Sequence, residues 1–428
     1  MKRIMNIPVI SRVEGHGSLV VEVNIKERRV GRVEFKVTEG ARMFEAMFIG
    51  RRIEEVPTIA SRICGICGPV HAICAAKAIE EAIGIENEIP DHINALREII
   101  AGLNVIESHL LHVLVLSLPD FLGYNSILEL PQEIKDKVFR VLKIRELVGK
   151  CLDLLCGERV HPKNIIPGGF TKLPSKMLLI DLVNKLEREY VRLKEFIEFL
   201  GNKMVKEFPR STHYVALYAD NDYPITYGDL MLDSLFKIPH YAFRKYFSEI
   251  VVPYSTSKKS LVYGTEGYMV GALARINTNM KFLVSEVKEI IKDLEIKIPS
   301  TNPYLIPLSQ LLEALHLIMK IRNLAEEVRM EPHKVTYRVR HGIGSYIVEA
   351  PRGVLYHHYV IDSEGKILSA DVVTPTAQNA ADIENSIKMI LLNELQRVVD
   401  VDKLKRMCED IVRCYDPCIS CSVHLTVI

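Results

Sequence analysis

The 428-residue sequence predicts an α+β protein, mostly helical, with a central bundle of long helices and small antiparallel β-sheets at its edges. Three observations lead to that class. Several long segments place apolar residues at helical spacing. Two segments alternate apolar and polar residues about charged turns. No low-complexity linker or repeat divides the chain, so it reads as one domain over residues 1–428.

Taken in order, GSLVVEVNIKERRVGRVEFKV (17–37) alternates around the charged turn Lys26-Glu27-Arg28-Arg29, a two-stranded hairpin. PVHAICAAKAIEEAI (69–83) is a helix, with proline at its first position and Gly84 just past its end. From Asp91 to Leu118 the chain is apolar nearly all round, as in a buried helix. Segments 175–208 and 308–329 read as long amphipathic helices. Between Gly344 and Val373, alternating runs flank Asp362-Ser363-Glu364-Gly365, a second hairpin, and 380–397 is a last helix.

Composition excludes several classes. Fifty-five basic against 54 acidic residues leave a net charge of +1, with no signature of a nucleic-acid or membrane partner. The N-terminus lacks the apolar core of a signal peptide, and the most apolar run, HLLHVLVLSLP from His109, is too short to span a bilayer. A cytoplasmic location follows as the expectation. Nine cysteines in a chain of this size then point to metal binding or catalysis rather than to disulfides.

The cysteines that matter come in pairs. Cys64 and Cys67 in RICGICGPVH have the spacing that lets two thiolates converge on one metal. Cys67 precedes a helix whose N-terminus favours a thiolate, and His71 in the first turn is placed to donate an N–H to sulfur. At the other end of the chain, DPCISCSVH supplies Cys418, Cys421 and His424. A structural four-cysteine zinc site, a thioredoxin-like dithiol and a redox-metal site assembled from both chain ends compete for these residues. Zinc sites draw on local clusters, and the dithiol needs a βαβ context that is missing around Cys64. The third alternative uses both pairs and the histidine that follows each.

These two motifs resemble the paired signatures of nickel–iron hydrogenase large subunits. The resemblance extends to Arg12-Val13-Glu14-Gly15-His16, to Glu45 in FEAMFIGR, to Ala350-Pro351-Arg352-Gly353 and to Val372-Val373-Thr374-Pro375-Thr376. It implies that family's large-subunit fold and a nickel–iron centre whose iron carries carbon monoxide and cyanide. Cys64 and Cys418 correspond to terminal nickel thiolates, and Cys67 and Cys421 to bridges between nickel and iron. The implied reaction is reversible heterolysis of dihydrogen into hydride and proton, with Cys418 accepting the proton and Glu14 carrying it onward. Arg352 corresponds to a guanidinium over the iron ligands, with Pro351 and Thr376 as further pocket residues; Asp120 belongs either to that canopy or to a turn. Glu45, the Val372 carbonyl and His424 correspond to a magnesium site.

Partners follow by the same resemblance: an iron–sulfur small subunit, further electron-transfer subunits, maturation chaperones and an endopeptidase that trims a C-terminal extension. Residues 425–428 resemble a very short version of that extension, so the chain reads as a possible precursor form. The absence of tryptophan, with Ala377-Gln378-Asn379 following Thr376, resembles the cytoplasmic, cofactor-coupled branch of sulfhydrogenase-like and methanogen-type enzymes. The remaining cysteines (Cys74, Cys151, Cys156, Cys408 and Cys414) read as small core residues, and His109 and His112 as core histidines.

Overall fold

The computed structural model describes residues 2–40, 42–331, 333–396 and 400–423. The expected magnesium ligand His424 and the tail 425–428 lie outside the described residues.

Long helices form the centre. The helix Asp91–Leu111 packs against Ile306–Glu327 on one side and Gln132–Cys156 on the other. Lys176–Arg188 and Tyr190–Met204 close the bundle. These last two were expected as one helix running to Phe208. The chain instead bends at Glu189 and leaves helical geometry after Met204, because Phe208 precedes Pro209 and a residue before proline avoids the helical region.

The helix at Asp91 runs further than expected. It continues through a widened π-turn, His112–Ser117, into Leu118–Leu122. Over its 32 residues it is long and apolar enough to cross a membrane, as is the stretch Pro303–Glu327. The expectation that this apolar run is too short to span is therefore corrected. Both stretches lie within the fold, with 83% and 89% of the residues in their most apolar windows buried, so protein already covers the apolar surface.

The hairpin at 17–37 forms as Gly17–Asn24 and Arg29–Val37, and gains a third strand, Lys2–Ile7, on its open edge. The region 344–373 forms three strands rather than two. Gly342–Ala350 and Gly353–Ile361 turn tightly at Pro351-Arg352, and Ile367–Val373 follows the Asp362–Gly365 turn. The helix Gly68–Ile83 lies directly on this sheet, and its alanines let the backbones approach closely. A Cβ at Gly344 would lie 2.2 Å from the Ala78 carbonyl oxygen, so only glycine fits there.

A four-stranded sheet in the middle of the chain, with His213–Tyr218 between Asp229–Leu232 and Tyr268–Met269, had no clear periodic signal. The last long helices are Pro375–Glu394 and Val401–Cys414. The first of them begins five residues earlier than expected, with Pro375 in its first turn. The two chain ends then meet: Glu14 and Cys418 form a parallel bridge, and the Ile419 N–H donates to the Glu14 carbonyl at 3.0 Å.

Candidate metal centre

Two short loops, built alike, carry the four thiols. After the turn Ser61–Ile63 the chain becomes extended at Cys64, and Cys67 caps the helix Gly68–Ile83. The Cys64 sulfur accepts the N–H groups of Ile66 at 3.2 Å and Cys67 at 3.3 Å, which closes the first loop around it. In the second loop, Cys418 precedes the turn Ile419–Cys421, and the Cys421 N–H reaches back to the Cys418 carbonyl at 3.3 Å. An antiparallel bridge to Ser257 ties down Val423, two residues after Cys421.

The loops face one another. Cys64 Sγ lies 3.2 Å from Cys418 Sγ, and Cys67 Sγ lies 3.7 Å from Cys421 Sγ. All four sulfurs fall within 4.8 Å of one another, and all four residues are buried. Hydrogen bonds from Cys418, Cys421 and Cys64 hold Cys67 well below the ordinary thiol range against its burial, whereas burial pushes Cys418 and Cys421 well above it. Four soft donors converging in a dry pocket suit a soft or borderline transition metal.

The surrounding residues present charge and hydrogen-bonding groups to this cluster. Arg352 is buried; its Nε donates to the Asp416 carbonyl at 2.5 Å, one Nη to the Asp416 carboxylate at 2.8 Å and the other to Ser108 Oγ at 3.3 Å. Burial opposes its charge, but Asp416 and the thiols of Cys418, Cys64 and Cys67 keep its pKa well above the ordinary value. Thr376 Oγ1 accepts the Cys418 N–H at 3.0 Å, so its hydroxyl hydrogen remains available for another acceptor. The Pro351 carbonyl accepts from Arg275 at 3.1 Å.

Glu14 is held by Ser420, whose N–H reaches its carboxylate at 3.1 Å and whose hydroxyl donates to the other oxygen. That pins the carboxylate two residues from Cys418. His71 Nδ1 lies 3.0 Å from His357 Nε2, while its Nε2 is buried without a hydrogen-bond partner among the described residues. Such an orphaned nitrogen beside a thiol cluster fits a site that a metal group completes. Further out, the Glu45 carboxylate accepts the Val372 N–H at 3.1 Å, which brings together two of the residues expected at the magnesium site.

Asp120 pairs with Arg12 and with Arg413 Nε at 2.6 Å, tying the N-terminal loop to the last helix. His109 Nε2 bonds Glu313 at 2.7 Å, and His112 bonds Gln310 at 2.5 Å and the Arg413 carbonyl at 2.7 Å; both sit in the core.

Sequence reasoning missed Ser420, Asp416, Ser108 and His357. The first two lie inside the DPCISC motif, and their polar character so close to two ligands was a usable signal. Ser108 and His357 reach the site only through the packing of a helix and a strand, and local sequence carries no sign of it.

Known proteins resemble this chain along nearly its whole length. The family model for nickel-dependent hydrogenases matches residues 42–139 and 258–424. Sulfhydrogenase 1 subunit alpha of Pyrococcus furiosus is 35% identical over 428 residues, covering 98% of this chain and 98% of the relative. Sulfhydrogenase 2 subunit alpha of the same organism is 32% identical over 433 residues, covering 98% and 99%. Among solved structures, an NAD+-reducing [NiFe]-hydrogenase in its H2-reduced state superposes with a TM-score of 0.85 at 24% identity, covering 99% of both chains. The alternative of a purely structural four-cysteine zinc protein is thereby set aside. The chain belongs to the nickel-dependent hydrogenases and is a catalytic large subunit of the nickel–iron type.

Proposed function

We propose that the four-thiol cluster serves the reversible heterolysis of dihydrogen: Cys64 and Cys418 would hold nickel, Cys67 and Cys421 would hold nickel and iron together, and the iron would carry carbon monoxide and cyanide. The single observation that carries this reading is the convergence of both CxxC loops within 4.8 Å, paired as 64 with 418 and 67 with 421. When bound, such a centre supplies the Lewis acidity that polarises dihydrogen and the capacity to take up its electrons.

The chain's own groups do the rest. The Cys418 sulfur takes up the proton, and the Glu14 carboxylate, pinned by Ser420 beside the Cys418 loop, passes it outward. Arg352 places a fixed positive charge over the pocket, in a geometry that Asp416 and Ser108 lock. The Thr376 hydroxyl hydrogen suits an anionic diatomic ligand on iron, and Pro351, which has no N–H to donate, lines the same pocket. His71 offers Nε2 toward the bridging thiolates.

Glu45, the Val372 carbonyl and His424 would hold a partly hydrated magnesium ion. Electrons leave through an iron–sulfur small subunit, since the sequence contains no further cluster-binding motif. A cytoplasmic enzyme of the sulfhydrogenase-like branch, matured by chaperones and a C-terminal endopeptidase, completes the proposal.

Proton–deuterium exchange tests the proton path. Glu14→Gln keeps the size and the acceptor oxygen but cannot carry a proton, so exchange and turnover should fall about 10²–10⁴-fold with nickel content unchanged. Wild-type exchange in that variant would contradict the role of Glu14.

A further inference from the structure

Arg275 is completely buried in the helix Ala272–Asn279, and its whole guanidinium is engaged. Nε donates to Glu313 at 2.6 Å. One Nη donates to Glu349 at 2.8 Å and to the Ala350 carbonyl at 3.1 Å. The other donates to Glu313 at 2.6 Å and to the Pro351 carbonyl at 3.1 Å, with His109 Nε2 at 3.5 Å. The two carbonyls belong to the tight turn between strands Gly342–Ala350 and Gly353–Ile361. The next residue in that turn is Arg352.

The same helix grips the turn a second time. Gly271, which caps the helix with φ 115°, lies so close to the turn that a Cβ there would come within 2.9 Å of the Arg352 carbonyl oxygen. Asn379 Nδ2 approaches that oxygen at 3.5 Å. The backbone of the turn is thus held on one side by Arg275, Gly271 and Asn379, while the Arg352 side chain is held on the other by Asp416 and Ser108. Burying a guanidinium among two glutamates is costly unless every donor is matched, and here the matches include two carbonyls of one turn. Lysine, a point charge on a flexible stem, cannot reach two carboxylates and two carbonyls together.

We propose that Arg275 is the positioning residue for the active-site turn: by holding the Ala350 and Pro351 carbonyls it sets where Pro351 and Arg352 stand against the thiols. The inference rests on the reading of Arg352 as an active-site guanidinium.

The test uses the matured enzyme with its small subunit and compares Arg275→Lys, Glu349→Gln and Arg352→Lys. Glu349→Gln is nearly isosteric and still accepts the Leu217 N–H that Glu349 receives at 2.8 Å, so it loosens Arg275 without emptying the core. Turnover per nickel should fall about tenfold or more in Arg275→Lys and less in Glu349→Gln, with KM for dihydrogen within about twofold. The carbonyl and cyanide infrared bands should shift in both, which a merely stabilising residue would not cause. Unchanged bands and unchanged turnover per nickel, even with a lowered Tm, would overturn the proposal, and Glu349→Gln decides alone where Arg275→Lys does not mature. If Arg352→Lys is impaired and the other two are normal, only this inference falls. If Arg352→Lys itself is normal in turnover and bands, the reading of Arg352 falls and this inference with it.

Discussion

The nine cysteines are all buried, yet they fall into two populations. Cys74, Cys151, Cys156, Cys408 and Cys414 each sit in a helix, and burial is the main influence on each thiol. It pushes Cys151 and Cys408 up to about 12 and leaves them as inert packing groups. Cys64, Cys67, Cys418 and Cys421 are equally dry but sit in loops that bring sulfur to sulfur. Burial alone therefore says nothing about chemistry. Two x2-spaced loops that face one another, the second tied to the N-terminal segment by the Glu14–Cys418 bridge, make the difference.

The sharpest way to break that contrast is Cys418→Ser. It removes one soft donor from the cluster and should reduce dihydrogen turnover to background, with the helical content by circular dichroism nearly unchanged. Arg352→Lys comes next: it keeps the charge but loses the fork that bonds Asp416 and Ser108. Turnover should fall about 10²-fold with nickel still bound, as when one preorganised donor is removed. At the small end, Cys151→Ala in the helix Gln132–Cys156 should cost about 1–2 kcal/mol in denaturant unfolding and leave turnover per nickel untouched. A loss of turnover there would erase the distinction between the two populations.

The sequence and the structure agree best where a local pattern has a single physical cause. The hairpin at 17–37 and the helix Gly68–Ile83 were legible because alternation, a helix-initiating proline and a terminal glycine act within a few residues. Both CxxC pairs were legible for the same reason. The strands His213–Tyr218 and Tyr268–Met269 were not, because they are short and mostly buried, so no alternation marks them. The turn at Pro351-Arg352 was expected as a pocket segment, yet its support by Arg275 was invisible. The two lie 76 positions apart at the Pro351 contact, and nothing near Arg275 signals the carbonyls it binds. Ser420 was overlooked although it stands between two ligands, since its role depends on Glu14 arriving from the opposite chain end.

The central claim is that the four thiols hold a nickel–iron centre. Elemental analysis combined with infrared spectroscopy of the matured protein tests it most directly. About one nickel and one iron per chain are predicted, with carbonyl and cyanide bands that disappear in Cys418→Ser. Zinc alone, with no such bands in protein produced alongside its maturation machinery, would contradict it.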